Sequence, residues 1–163
     1  MAFYQNYWVF LMANLEFHTE IHATLEKVYE ISQDYAQRYE WDPFPEKIEF
    51  LNGATEVALG VKVNVIAKSG LKMIVQFIQV KPPELAAIKM IEGPKVLKVF
   101  AGSWLFKSLP NGNTKASFKY TLQAQNWFLP LLSNKIMAWY FGRHVQTRLE
   151  GLKRYCEQSA QTV

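Results

Sequence analysis

Three histidines, one cysteine and a thin scatter of acids are what this 163-residue chain offers for chemistry. His18 and His22 lie in Leu15 to Ala23, a stretch that alternates apolar and polar residues. On an extended strand four residues span about 13 Å. Metal ligands sit roughly 2 Å from their ion, so these two cannot share one. Cys156 is the single cysteine, which leaves no intrachain disulfide and no cysteine-based metal site. It falls at core-facing spacing near the end of a long helical pattern, where a small buried thiol is a commoner role than a nucleophile. HExxH, GxSxG and a phosphate-binding loop are all missing. What remains for acid–base work is His144, with Tyr120 or Arg143 beside it, and His144 reads first as a helix-face histidine. No metal and no cofactor is expected.

The elements that must position these groups can be read from the periodicity. Residues 15 to 23 place Leu15, Phe17, Thr19 and Ile21 on one side of a half-buried strand. Thr24 can then cap a helix whose inner face carries Leu25, Val28, Tyr29 and Ser32. That helix runs out in DYAQRYEWDPFPEKIEF, residues 34 to 50, where Pro43 and Pro45 stop it. Asp34 reads as a helix-end hydrogen-bonding residue and Trp41 as a core anchor that could also floor a pocket. From Lys47 the period becomes two, and about six strands follow. Turn signals at Asn52-Gly53, Ser69-Gly70, Pro82-Pro83, Gly93-Pro94 and Pro110 to Asn113 separate them. Strands joined by turns rather than helices imply an antiparallel sheet. The last thirty or so residues return to a 3.6 period, with Leu131, Ala138, Phe141, Val145, Leu149 and Leu152 on one stripe. Such a helix reaches roughly 45 Å. Gly142 and Gly151 within it mark close packing or a bend. A single domain over residues 14–158 is expected, with a short tail at 159–163.

Composition narrows the classes. Half the residues are hydrophobic and 15% are aromatic, enough flat side chains to fill a large core or line a cavity. The net charge of +4 is mild, and its densest cluster is Arg143, Arg148, Lys153 and Arg154. That cluster reads as a solvated helix face, so no nucleic-acid partner is expected. Residues 1–13 form an apolar extension, far shorter than the roughly 20 residues a transmembrane helix needs. It carries no Lys or Arg ahead of its apolar part, which argues against a signal peptide. Met12 is an alternative natural start, and an interfacial anchor making peripheral membrane contact is another reading. One cysteine fits a reducing compartment, and a cytoplasmic location is expected.

A strongly curved antiparallel sheet must cover its concave face, and the long helix is the only element large enough to do so. Several segments carry a resemblance at this point. They are Ile21-His22-Ala23 before Val28-Tyr29; Asp34 followed by Trp41-Asp42-Pro43; Gly102 to Phe106 before Gly112-Asn113-Thr114; and a last helix ending Leu152 to Tyr155. The chain resembles the START/polyketide cyclase–dehydrase (SRPBCC) superfamily of birch-pollen-allergen-like proteins. The resemblance implies an α+β helix-grip fold: about seven curved antiparallel strands around a long C-terminal helix, with two short helices after the first strand. It also implies a cavity between sheet and helix, while leaving function open among carriers, cyclases, hydrolases and receptors.

Strand parity then suggests which side chains face that cavity. These are Val63, Val65, Met73, Val75, Phe77, Ile88, Met90, Phe100, Trp104, Phe106, Phe118 and Tyr120, joined by Met137, Phe141 and His144 from the helix and by Trp41. The expected partner is a hydrophobic small molecule such as a lipid, a quinone or a polyketide-like aromatic, bound by a monomer or homodimer acting as carrier or sensor. The alternative is a metal-free cyclase or dehydratase in the same cavity, since ring closure and dehydration need only a shaped pocket and one proton shuttle. A third reading is a ribosome- or chaperone-associated interaction module that uses the basic helix end and the apolar N-terminus.

Overall fold

The computed structural model describes residues 12–125 and 130–160. Strand β1, Ala13–Ile21, alternates half-buried and exposed positions as its sequence does. Helix α1, Leu25–Gln33, is capped by Thr24, whose hydroxyl accepts from the Lys27 N–H at 3.4 Å. Val28, Tyr29 and Ser32 are buried on its inner face. Asp34 ends it, and its Oδ1 accepts from the Ala36 and Gln37 N–H groups at 2.9 and 3.2 Å. A single turn, α2, Arg38–Trp41, follows. The strands after it are β2 (Pro45–Phe50), β3 (Lys62–Ala67), β4 (Lys72–Lys81), β5 (Leu85–Glu92), β6 (Leu97–Ser108) and β7 (Thr114–Ala124). The chain continues into α3, Pro130–Ala160.

These seven strands pair antiparallel in the order β1-β7-β6-β5-β4-β3-β2. Only β1 and β7 among them are non-sequential neighbours, so the first strand lies beside the last. This is the α+β helix-grip arrangement that the sequence implied. One turn differs from its signal. Asn52 and Gly53 both adopt left-handed φ, at 58° and 75°, yet they do not join two strands directly. Phe50 pairs with Val63, so the dipeptide turns the chain inside a longer connection.

Helix α3 lies along β1 and β7 and touches α1 and α2. Its stripe of Phe141, Val145, Leu149, Leu152 and Cys156 is almost completely buried. Leu131 of the expected stripe is outside the residues whose side chains are described. Gly151 is the point of closest approach. A Cβ there would lie 2.0 Å from the Trp41 carbonyl oxygen, so only glycine lets α3 meet the end of α2. Gly142 faces the Phe17 ring at an ordinary 3.5 Å. Contact between α3 and α2 at Gly151 fixes the geometry of the site beneath them.

Candidate functional site

Where α2 meets α3 over the sheet, a cavity remains. The space open to the centre of a water molecule is about 70 Å³, room for on the order of five waters. Its walls are mostly apolar: Val65, Met73, Val75, Phe77, Ile88, Phe100, Trp104 and Phe118. Gln33, Tyr35, Arg38, Tyr120 and Arg148 add polar atoms. A wider surface groove of about 510 Å³ lies between the β3–β4 turn and the end of β5, lined by Leu71, Met73 and Gly93 among others. It is more open to solvent and does not reach the charged residues described next, so the recessed cavity is the stronger candidate.

The aromatic wall is built by register. Trp104 pairs with Phe118 and Gly102 with Tyr120 on neighbouring strands. The Trp104 and Phe118 rings meet edge to face at 4.2 Å, and Tyr120 lies 4.7 Å from both Phe118 and Phe100. Gly102 leaves space for the Tyr120 ring, since a Cβ there would approach it to 2.9 Å. These edge-to-face and tilted contacts are the geometries that aromatic quadrupoles favour.

At the α2–α3 end of the cavity lie two guanidinium groups and one carboxylate, all nearly inaccessible to solvent. Asp42 Oδ2 accepts from Arg38 Nε at 2.9 Å, from Arg148 Nε at 3.1 Å and from Arg148 Nη2 at 2.9 Å. Its Oδ1 accepts from the Phe44 N–H at 3.1 Å, which folds the chain around Pro43. Four donors therefore hold the carboxylate, three on Oδ2 and one on Oδ1, and two of its partners are cations, so it is no free base. Burial alone would raise the Asp42 pKa, but Arg148 and then Arg38 outweigh it and hold the carboxyl below its ordinary value. Burial likewise opposes the charge on Arg148, and Asp42 more than restores it, so its pKa is raised. Arg148 Nη1 donates to the Tyr120 hydroxyl at 2.7 Å. That phenol is pushed above its ordinary pKa, chiefly by burial. It stays protonated near neutrality, so its own hydrogen is left to donate.

Of the residues that parity placed inward, Val65, Met73, Val75, Phe77, Ile88, Phe100, Trp104, Phe118 and Tyr120 come together on the cavity wall. Val63, Phe106 and Phe141 are buried in the surrounding core, and Met90 and Met137 pack against it half-buried. Trp41 meets Trp104 edge to face at 6.1 Å, behind the wall. The three acid–base candidates separate. Tyr120 faces the cavity. His144 packs edge to face on Tyr140 and Phe44, at 4.6 and 5.4 Å, outside the cavity wall. Burial, then the charges of Arg148 and Arg143, lower its pKa. Arg143 is exposed, with its guanidinium carbon 5.2 Å from the centre of the Trp139 ring.

Arg148 departs from the sequence expectation. It does not belong to a solvated helix face: it is 8% exposed and turned toward Asp42. The signal was present, because Arg148 sits three residues after Val145 on the buried stripe. Arg38 and Asp42, four residues apart across a one-turn helix, were also missed as a pair. Elsewhere on α3, Leu132, Ile136 and Trp139 are each more than half exposed. Among the described residues no group of three or more His, Cys, Asp or Glu is placed to hold a metal ion. No helix among them is long and apolar enough to cross a membrane.

A curved sheet gripping a long helix over a largely apolar cavity defines a helix-grip fold. Residues 12–157 match the model of the family described as polyketide cyclase / dehydrase and lipid transport, and the chain belongs to that family. Among solved structures it is similar to the Zhui aromatase/cyclase from Streptomyces sp. R1128, with a TM-score of 0.76 and 16% identity over 91% of this chain and 96% of that one. A protein from Thermus thermophilus gives 0.75 and 16% over 90% and 99%. The di-domain ARO/CYC BexL from the BE-7585A biosynthetic pathway gives 0.73 and 17%, with 90% of this chain spanning 50% of that one. A search of curated proteins finds no match.

Proposed function

We propose that this protein binds a lipophilic small molecule in the cavity between sheet and α3, as a carrier or sensor. The observation that carries this reading is the recessed, aromatic-lined cavity, whose charged groups gather at one end. Apolar walls supply affinity through desolvation, and a few convergent polar groups fix orientation. Membership of a family whose description includes lipid transport supports it. The cavity volume of about 70 Å³ limits the occupant. A cavity that takes up benzene measures about 150 Å³, so even a compact, flat molecule requires the walls to move apart, and a multi-ring or long-chain ligand requires more of the same movement. The test is native mass spectrometry of the purified protein, with extraction and identification of any released compound. A retained apolar molecule supports the reading. A protein that stays empty and is not thermally stabilised by fatty acids, quinones or aromatic polyketides contradicts it.

A second reading, a cyclase or dehydratase type of enzyme, is favoured by one observation: Tyr120, whose hydroxyl is held by Arg148, lines the same cavity. A neutral phenol held by a guanidinium can donate a hydrogen bond to a carbonyl oxygen as negative charge develops there. The Tyr120→Phe variant separates the readings. Lost turnover with ligand still bound supports catalysis, and no turnover by either protein on any oligoketone supports a carrier.

A further inference from the structure

We infer that the ligand bears a single negative charge on a planar oxyanion such as a carboxylate, and that Arg38 receives it. The inference rests on the cavity-binding reading above and specifies the ligand's head group.

The first argument is a count of charge. Arg38, Arg148 and Asp42 are all buried, and two cations against one anion leave an excess of +1 beside an apolar cavity. No other carboxylate is paired with either guanidinium among the described residues. The nearest compensation is from aromatic faces. The Arg38 guanidinium carbon lies 4.7 Å from the Tyr35 ring centre and 5.1 Å from that of Trp41, and Arg148 lies 5.0 Å from those of Phe44 and Phe118. Aromatic faces stabilise a desolvated cation less than a carboxylate in contact does.

The second argument assigns the charge to one arginine. Arg148 directs two hydrogen bonds to Asp42 and one to Tyr120. Arg38 gives one to Asp42 and one to the Ser32 carbonyl, so two of the five N–H groups that a guanidinium carries are used. Arg38 lines the cavity and keeps the larger share of its donors for a partner there. A guanidinium fork with free donors matches a carboxylate in shape as well as charge. Tyr120 lines the same cavity, and its hydroxyl hydrogen is a further donor for the oxyanion.

Three probes with one body and different heads test this: 4-phenylbutanoate, 4-phenylbutanol and 4-phenylbutylamine, titrated calorimetrically into the full-length protein at pH 7.5. The carboxylate is expected to bind at least tenfold tighter than the alcohol, and the amine weakest. In Arg38→Met the buried cluster becomes neutral, with Asp42 still paired to Arg148. The carboxylate's advantage over the alcohol should then fall to twofold or less. The wild-type series stands without the variant should Arg38→Met fold poorly. Equal binding of carboxylate and alcohol to the wild type overturns this inference and leaves the cavity reading intact. A carboxylate advantage that survives Arg38→Met overturns the assignment to Arg38. Failure of all three probes to bind counts against the cavity-binding reading itself, and this inference falls with it.

Discussion

Replacing Asp42 with Asn should be the most damaging single-atom change in the charged cluster behind the cavity wall. The substitution keeps size and shape, yet it leaves Arg38 and Arg148 buried side by side without a counter-charge. Removing one partner of a buried ion pair typically costs about 3–5 kcal/mol, because the remaining charge stays desolvated. For a chain of this size each kcal/mol shifts Tm by about 2–4 °C. The expected drop at pH 7 is therefore roughly 6–20 °C. The pH dependence follows from the depressed Asp42 pKa. A carboxyl with a lower pKa folded than unfolded contributes fully above its unfolded value of 3.8 and loses that contribution as pH falls through the folded value. The gap between wild type and Asp42→Asn should thus stay constant from pH 7 to about 5 and narrow below pH 4. Urea unfolding across that range measures it. Adding Arg38→Met to Asp42→Asn removes one of the two orphaned cations and should recover at least half of the loss. A cost below about 1 kcal/mol at pH 7, or no recovery in the double variant, would refute the view that the cluster is a desolvated charge network.

Other consequences are more local. Gly151→Ala should cost about 2–3 kcal/mol in chemical denaturation, because its Cβ would meet the Trp41 backbone at 2.0 Å, whereas Gly142→Ala should be neutral or stabilising. His144 should titrate below its ordinary 6.5 in an NMR experiment, since burial and two arginines disfavour its charged form. Its unfolded form takes up the proton first, so this contribution to stability is complete above pH 6.5 and is lost as pH falls toward the folded value. Replacing His144 with Gln should flatten that slope. Cys156 is fully buried, and burial pushes its thiol pKa up to about 12. It should resist a thiol reagent at pH 8 in the native protein and react once urea unfolds it; rapid native labelling would contradict the packing of α3.

The layout of the fold was legible because each element announced its period. Alternation marked β1, a Thr24 cap marked α1, and the stripe from Phe141 to Leu152 marked α3. The apolar wall was legible for the same reason: on β6 and β7, parity alone gathers Phe100, Trp104, Phe118 and Tyr120. The charged end of the cavity was not. Arg148 sat among other basic residues, and hydrophobic patterning counts an arginine as outward even when it falls on the inner stripe. Nor could periodicity say that a one-turn helix would bring Arg38 and Asp42 against a residue 106 positions away from Asp42. That contact depends on Gly151 letting α3 approach, which is a property of packing rather than of local sequence. Parity also could not distinguish the wall from the core behind it. Val63 and Phe106 share the inward face with Val65 and Trp104 but are enclosed by other side chains.

The central claim is that an apolar ligand enters this cavity rather than a surface groove. Indole N–H resonances test it most directly. Trp104 is on the wall, Trp41 packs behind it, and Trp139 is exposed on the outer face of α3. Titration with 4-phenylbutanoate, followed by ¹⁵N–¹H spectra, is expected to shift Trp104 and Trp41 saturably and leave Trp139 in place. Saturable shifts confined to Trp139, with Trp104 and Trp41 unmoved, would place binding outside the cavity and contradict the account.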